Sequence, residues 1–112
     1  MADLPTHQPH GSPTTALDGL RVVDLSHFVA GPMASMILGD LGADIIKIEP
    51  PGRGDDFRST RLTGKDLHGA PFLWVNRNKR SVVLDLSLPE GLAVALELIA
   101  GADVVLENFS TG

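Results

Sequence analysis

Four short runs of β-branched and aliphatic residues recur along this chain, with helical segments between them. The runs occupy residues 21–25, 44–49, 81–86 and 103–109. Apolar residues at helical spacing follow the first and the third run. Strands that alternate with helices form a parallel sheet with right-handed crossovers. The sequence therefore predicts an α/β fold in the order β-α-β-(loop, α)-β-α-β.

The first long helix is predicted to begin at Gly31-Pro32, because proline lacks an N–H that the first helical turn leaves unbonded in any case. Gly42 is expected to end this helix, in the position just after it where glycine is common. Four residues at helical spacing are expected to form its apolar face: Met33, Met36, Ile37 and Leu41.

A second long helix is predicted after the third run. Ser87 and Glu90 have the spacing of a capping box, so Ser87 is expected to cap this helix. Gly101 is expected to end it. Its apolar face is predicted to consist of Leu92, Ala95, Leu96 and Ile99.

A polar segment separates the second run from the third. Residues 50–69 are rich in glycine, proline and charge, and are predicted to form a long loop. Loops of this length in compact domains are usually functional or mobile. Pro71 is expected to start a short helix, and residues 76–80 are expected to form a polar connector to the third strand.

Composition narrows the class of protein further. The chain has 112 residues, 43% of them hydrophobic, so we expect one folded domain or part of one. Residues 1–16 contain three prolines and no basic residue, and are predicted to be a disordered leader rather than a signal peptide. No apolar run is long enough to span a membrane. The absence of cysteine excludes disulfides and thiolate chemistry, and we expect a cytoplasmic protein.

The net charge of −5 is distributed unevenly. Residues 47–80 carry eight basic and four acidic residues, whereas residues 81–112 carry five acidic residues and no basic one. The basic segment is either a solvated loop or a surface that attracts a phosphorylated small molecule. Nucleic acid is not expected as a partner, because the protein is acidic and no series of aromatic residues accompanies the basic ones.

Single polar residues at the predicted strand ends each allow two interpretations. His27 is either a base or ligand contact, or a structural hydrogen-bonding residue. Lys47 is expected to be the partner of a carboxylate, and Asn108 either contacts a ligand or caps the strand end. The pair Asp55-Asp56 is expected to be solvated rather than a metal site, since no further acid or histidine lies nearby at ligand spacing.

From Leu17 onward the chain resembles the class III CoA-transferases, also called the CaiB/BaiF family, which includes formyl-CoA transferase and carnitine CoA-transferase. The similar segments occur in order with plausible spacing and together are highly specific. They are residues 17–25, 30–32, 39–49, 54–56, 76–81, 84–86, 89–91 and 102–109.

The resemblance implies a Rossmann-like large domain that binds CoA, joined in the family to a small domain. It implies that residues 17–112 are the amino-terminal portion of that CoA-binding domain, and that the chain is truncated relative to the family. Family members are interlocked homodimers that move CoA between carboxylic acids. Their nucleophile is an aspartate that forms acyl anhydride and aspartyl-CoA intermediates.

No aspartate of this chain matches the family's nucleophile. The resemblance therefore assigns no catalytic residue, no metal and no tightly bound cofactor here. CoA or acyl-CoA is expected as substrate, and the chain alone is expected to be inactive and to need a partner chain.

The resemblance also carries over a set of CoA contacts, position by position. Three of them depart from formyl-CoA transferase: Val29 replaces a glutamine, Pro50 an arginine and Ser87 a lysine. The two losses of charge weaken the expected phosphate contacts. The full set is His27, Val29, Ala30, Pro50, Leu84, Asp85, Leu86, Ser87, Asn108, Phe109 and Ser110.

Two alternatives share this resemblance. The α-methylacyl-CoA racemases have the same fold but transfer a proton instead of CoA. Their counterpart of residues 76–81 is usually closer to Gly-Lys-Arg-Ser, so the Asn-x-Asn-Lys-Arg-Ser pattern here favours a transferase. The other alternative is a non-catalytic remnant that binds CoA weakly or not at all.

Overall fold

A four-stranded parallel sheet forms the centre of the computed structural model, which describes residues 15–60 and 69–111. The strands are β1 (Arg21–Asp24), β2 (Asp44–Glu49), β3 (Lys79–Val83) and β4 (Val104–Leu106). The helices are α1 (Ala30–Asp40), α2 (Ala70–Val75) and α3 (Pro89–Ala100), with a 3-10 helix at Asp56–Ser59. This order confirms the predicted alternation of strands and helices.

The strands lie side by side in the order β3-β2-β1-β4, and every neighbouring pair is parallel. Val23 of β1 lies opposite Ile46 on one side and Val105 on the other. The first four strands of doubly wound sheets that bind dinucleotides have the same order, and there the ligand lies where the strand order reverses. In this sheet the reversal occurs beside β1.

Two apolar clusters cover opposite faces of the sheet. Val22 and Ile45 pack with Leu38 of α1, whereas Val23 and Ile48 pack with Ala95 of α3. Successive side chains of a strand point to opposite faces, so neighbouring valines enter different clusters. Helices on both faces explain why the strand sequences are apolar nearly throughout.

The predicted apolar face of α1 is only partly correct. Met36 is buried, but Ile37 and Leu41 are largely exposed, and Pro32 and Ser35 are buried in their place. Ser35 faces inward because its hydroxyl donates a hydrogen bond to buried Asp24. Gly42 does follow the helix with a φ of 104°, as the sequence predicts.

The predicted start and apolar face of α3 are also partly wrong. Leu88, not Ser87, occupies the N-cap position, and the Ser87 hydroxyl donates to Asp85 instead. Ala95 is the buried residue of this helix, and Leu98 and Ile99 pack around it. Leu92 and Leu96 are exposed, contrary to the prediction. Gly91 allows the first turn of α3 to pack directly on the Asp85 backbone, because a Cβ at position 91 would overlap the Asp85 carbonyl oxygen.

Strand β3 begins two residues earlier than predicted and ends three residues earlier. Lys79 and Arg80, expected in the connector, lie opposite Ile45 and Ile46 of β2. Arg80 donates hydrogen bonds to the Asp44 carboxylate, which balances its charge. A charged residue is therefore tolerated in this strand. The Leu84 N–H still donates to the Glu49 carbonyl oxygen at 3.0 Å, and the backbone then forms the turn that precedes α3.

Two predictions concern residues that are only partly described. Of the leader only Thr15 and Ala16 are described, and of the long loop predicted over residues 50–69, residues 61–68 lie outside the described ranges. Within residues 15–60 and 69–111, no helix has the length and apolar character needed to cross a membrane.

Candidate ligand-binding site at the carboxyl edge of the sheet

A pocket of about 250 Å³ opens where the carboxyl ends of the strands meet. It is bounded by the residue after β1, the end of β2 and the turns that follow β2, β3 and β4. Its walls are mainly aliphatic, with one imidazole, one carboxylate and one hydroxyl among them. The lining residues are Leu25, His27, Ile48, Pro50, Pro51, Leu84, Asp85, Leu86, Ser87 and Phe109. We call this cavity the strand-end pocket.

Seven of the eleven carried-over CoA contacts line the strand-end pocket. The other four do not. Val29 and Ala30 lie at the start of α1, and Asn108 and Ser110 lie on either side of Phe109 without lining the cavity. The structure therefore brings most of the predicted site together around one cavity.

Asn108 joins the end of β4 to the turn after β1. Its side-chain oxygen accepts a hydrogen bond from the His27 N–H at 2.9 Å, and its amide nitrogen donates to the His27 carbonyl oxygen at 2.9 Å. The ring centroids of His27 and Phe109 are 6.1 Å apart. Of the two interpretations of Asn108, the strand-end cap is the one that these contacts favour.

The turn between β1 and α1 has an unusual backbone. Phe28 has a φ of 64°, a left-handed conformation that is uncommon for an aromatic residue. Its N–H donates to the Asp55 carboxylate at 3.1 Å. Gly31 packs directly on Ser26, where a Cβ would overlap the serine side chain. The carboxylate from the long loop thus stabilises the turn that borders the pocket.

Behind the pocket, Asp24 lies fully buried and accepts hydrogen bonds from Ser26 and Ser35. Burial by itself raises the pKa of Asp24, but those hydrogen bonds and the charges of Lys47 and Lys79 outweigh it, so the pKa lies below its ordinary value. Asp24 is therefore an ionised structural carboxylate.

Lys79 is the buried cation that faces Asp24. Its ammonium group donates to Asp24 at 3.0 Å, to the Pro32 carbonyl at 2.8 Å and to the Asn76 side chain at 2.8 Å. Burial lowers the pKa of Lys79 below its ordinary value, and the Asp24 carboxylate opposes this shift. With three acceptors around it, the ammonium group joins β3 to α1 and to the end of α2.

Lys47 and Asp55 form a second buried ion pair, with 2.9 Å between Nζ and Oδ2. Both side chains are almost completely buried, so the prediction that Asp55 is solvated is wrong. The expected carboxylate partner of Lys47 is confirmed. His27 Nδ1 lies 3.9 Å from Asp55 Oδ1 and has no hydrogen-bond partner among the described residues.

Glu49 is the third buried carboxylate of this region. It accepts hydrogen bonds from Arg58 Nε and Nη2, each at 2.7 Å, from the Ser81 hydroxyl at 2.7 Å and from the Asp55 N–H at 2.9 Å. Burial raises the pKa of Glu49, but the Arg58 guanidinium and the other donors lower it to about 2. These contacts tie the long loop to β2 and β3.

Sequence reasoning missed two features of this region. Leu25, Ile48 and Pro51 line the pocket without having been singled out, although their positions at strand ends were the available signal. It also missed how many charged side chains of this region are buried in ion pairs. The signal there was charge within strands that are otherwise apolar, at Asp24, Lys47 and Glu49.

Most of the basic segment neutralises acidic residues of the protein itself. Five of its basic residues make ion pairs with carboxylates of other elements: Lys47, Arg58, Arg77, Lys79 and Arg80. Within residues 15–60 and 69–111, Arg53 makes its one ion pair with Asp56, in the same loop, and its side chain is 77% exposed. A continuous basic surface is therefore not formed by the described part of this segment.

The strand order, the helices on both faces and the pocket at the carboxyl edge define a class: α/β proteins that bind ligands at the ends of parallel strands. Within that class the chain belongs to CoA-transferase family III, because residues 17–112 match the sequence model of that family.

The relatives are similar over nearly the whole chain. A succinate–glutarate CoA-transferase of Agrobacterium fabrum is 43% identical over 97% of this chain and 27% of its own length. A succinyl-CoA:glutarate CoA-transferase of Mus musculus is 46% identical over 86% of this chain and 22% of its own length.

Solved structures of related proteins have a similar fold. A CaiB/BaiF family protein from Brucella suis superposes with a TM-score of 0.77 at 46% identity, covering 86% of this chain and 26% of that one. The chain thus spans about a quarter of the length of the relatives that it matches.

Proposed function

We propose that this chain forms the part of a CoA-transferase that binds the nucleotide end of CoA. The observation that carries the proposal is the strand-end pocket, around which the fold gathers seven of the eleven residues predicted to contact CoA. Membership of CoA-transferase family III supports the same ligand.

The chemistry of the strand-end pocket suits a nucleotide base. Leu84 and Leu86 provide apolar walls, and the Phe109 ring stands at its border. Asp85 and Ser87 add a few polar groups, and the Ser87 N–H and hydroxyl both donate to the Asp85 carboxylate. A flat base would bury apolar surface against the leucines while its edge meets polar atoms.

For the complete enzyme we propose transfer of CoA between carboxylic acids through an aspartyl-CoA intermediate. The relatives named above are CoA-transferases for succinate and glutarate, which supports a transferase over a racemase. The buried aspartates Asp24 and Asp55 are engaged in ion pairs, and hydrogen bonds from Ser87 lower the pKa of Asp85. Asp24 and Asp55 are held by lysines, and no aspartate of this chain matches the nucleophile of the family that it resembles, so we expect the isolated chain to be inactive.

We further propose that the chain associates with another polypeptide chain, as the family's interlocked dimers imply. Leu73 and Trp74 of α2 are mostly exposed, and the leucines at positions 92 and 96 of α3 are about half exposed. Large exposed apolar patches are typical of surfaces that are covered in an assembly. A cytoplasmic location remains a prediction.

Titration of CoA into the 112-residue chain by isothermal calorimetry tests the CoA-binding proposal. We expect weak binding that becomes about three- to tenfold weaker in Leu86→Gln, because one apolar wall is lost. The matched control is Leu92→Gln, which changes a similarly exposed leucine outside the pocket: Leu86 is 37% and Leu92 45% exposed. The proposal fails if millimolar CoA gives no heat, or if both variants lose the same affinity.

A further inference from the structure

A second cavity, of about 260 Å³, adjoins the strand-end pocket. The two share Pro50, the residue after β2. Whereas the strand-end pocket is mainly aliphatic, the second cavity contains two guanidinium groups. Its lining residues are Glu49, Pro50, Gly52, Arg53, Gly54, Arg58, Ser81 and Val83. We call it the arginine cavity.

The strand-end pocket cannot by itself balance the charge of CoA. Among the described residues that line it there is no lysine or arginine, and Asp85 adds a negative charge. CoA carries a diphosphate bridge and a phosphomonoester, and phosphates in proteins are usually met by arginine, lysine or backbone N–H groups. A ligand that fills the strand-end pocket and passes over Pro50 reaches cations in the arginine cavity.

The two arginines of this cavity differ in their availability. Arg58 is held by Glu49 through two hydrogen bonds of 2.7 Å, so its charge is already balanced. Arg53 makes one ion pair, with 3.2 Å between its Nε and Asp56 Oδ1. Its terminal nitrogens have no partner among residues 15–60 and 69–111. Arg53 is therefore the guanidinium that can meet a ligand.

Two glycines on either side of Arg53 add backbone N–H groups to the arginine cavity. Gly52 and Gly54 have φ of 82° and 67°, so left-handed residues flank Arg53 on both sides. The Arg53 N–H donates to the Pro51 carbonyl oxygen at 3.1 Å, so the N–H groups beside the guanidinium that could meet an anion are those of the two glycines. Within the described part of the chain, neither glycine N–H donates to another group. A Cβ at Gly52 would meet no atom within 4 Å, so that position is open to solvent.

We propose that Arg53, with the N–H groups of Gly52 and Gly54, binds a phosphate group of a CoA molecule whose base lies in the strand-end pocket. This inference rests on the proposed CoA-binding function and adds a phosphate subsite to it. The subsite explains how a chain with proline at position 50 and serine at position 87 retains a cation for the ligand.

The anion subsite can be tested without CoA. Pyrophosphate is titrated into the ¹⁵N-labelled 112-residue chain while the amide signals of Gly52 and Gly54 are followed by NMR. We expect both signals to shift in the wild type and the shifts to be largely lost in Arg53→Gln. The matched control is Arg21→Gln. Arg21 is also exposed and makes a single Nε contact, of 3.3 Å to Asp44, but it lies at the opposite edge of the sheet.

The CoA assignment is tested by calorimetry on the same three proteins. At low salt we expect Arg53→Gln to weaken CoA binding about three- to tenfold, as loss of a charge-assisted contact on the surface should. The difference should shrink at high salt, and Arg21→Gln should bind like the wild type. Dephospho-CoA then identifies the phosphate. If the effect of Arg53→Gln disappears with it, the phosphomonoester is bound, and if it persists, the diphosphate bridge is bound.

The outcomes separate this inference from the proposed function. Equal CoA affinity of wild type and Arg53→Gln, without pyrophosphate shifts at the two glycines, would overturn the subsite while CoA binding stands. Pyrophosphate shifts without any CoA binding would overturn the proposed function, and with it the CoA assignment of this subsite, while showing that the anion site exists.

Discussion

Replacement of Glu49 by glutamine should destabilise the protein strongly and in a pH-dependent manner. Glu49 is 2% exposed and accepts four hydrogen bonds, two of them from Arg58. Glutamine keeps the shape of the side chain but removes its charge. It also exchanges one acceptor oxygen for an NH₂ group, which would face donors and find no acceptor.

The magnitude follows from the pKa of Glu49. Its carboxyl has an ordinary value of 4.5 and a value of about 2 in the folded protein. A lowering of that size corresponds to at most about 3 kcal/mol of stability at neutral pH. The Arg58 side chain is 42% exposed, so solvent screens the pair and we expect about 2 kcal/mol. Because the folded-state pKa is the lower one, this stability is complete above pH 4.5 and is lost as the pH falls toward 2.

Urea denaturation followed by circular dichroism at pH 7 and pH 3 provides the assay. At pH 7 we expect the free energy of unfolding of Glu49→Gln to be about 2 kcal/mol below that of the wild type, with less than half of that difference remaining at pH 3. Glu97→Gln, at an exposed position of α3, is the matched control and should differ little from the wild type at either pH. This reasoning would be refuted if Glu49→Gln had the same free energy of unfolding as the wild type at pH 7. It would also be refuted if the two proteins differed by the same amount at pH 7 and pH 3.

Three other outcomes are expected. Gly91→Ala should lower the free energy of unfolding by about 2 kcal/mol or more, because its Cβ would overlap the Asp85 backbone. Gly101→Ala, where the nearest atoms are 3.8 Å away, should change it little, and urea denaturation of the two variants would compare them. The isolated chain should transfer no CoA between succinyl-CoA and glutarate, as measured by chromatography of the thioesters; turnover above the background of heat-treated protein would contradict the proposed role. In sedimentation velocity the chain should self-associate as its concentration rises, whereas a monomer at all concentrations would show that its apolar helices need no cover.

The sequence alone predicted the class of fold and most of the pocket. Apolar runs that alternate with helical periodicity admit few arrangements other than a parallel sheet, and β1, β2 and the two long helices lie close to their predicted positions. Ligand sites of such sheets lie at the carboxyl ends of the strands. Residues predicted there from the resemblance, such as Leu84 and Phe109, therefore gather around one cavity.

Only the tertiary structure decided which charged residues are buried. In the sequence Asp55 is one acid of an exposed-looking loop, but in the fold its side chain is buried against Lys47 of β2. Ser35 faces inward because Asp24 is there to accept its hydrogen bond, and this displaces the predicted apolar face of α1. Apolar periodicity is a local property of the chain, whereas an ion pair depends on two residues that meet only after folding. For the same reason the sequence showed the basic residues of the long loop, but only the structure showed that Arg58 pairs with buried Glu49 whereas Arg53 pairs with the partly exposed Asp56.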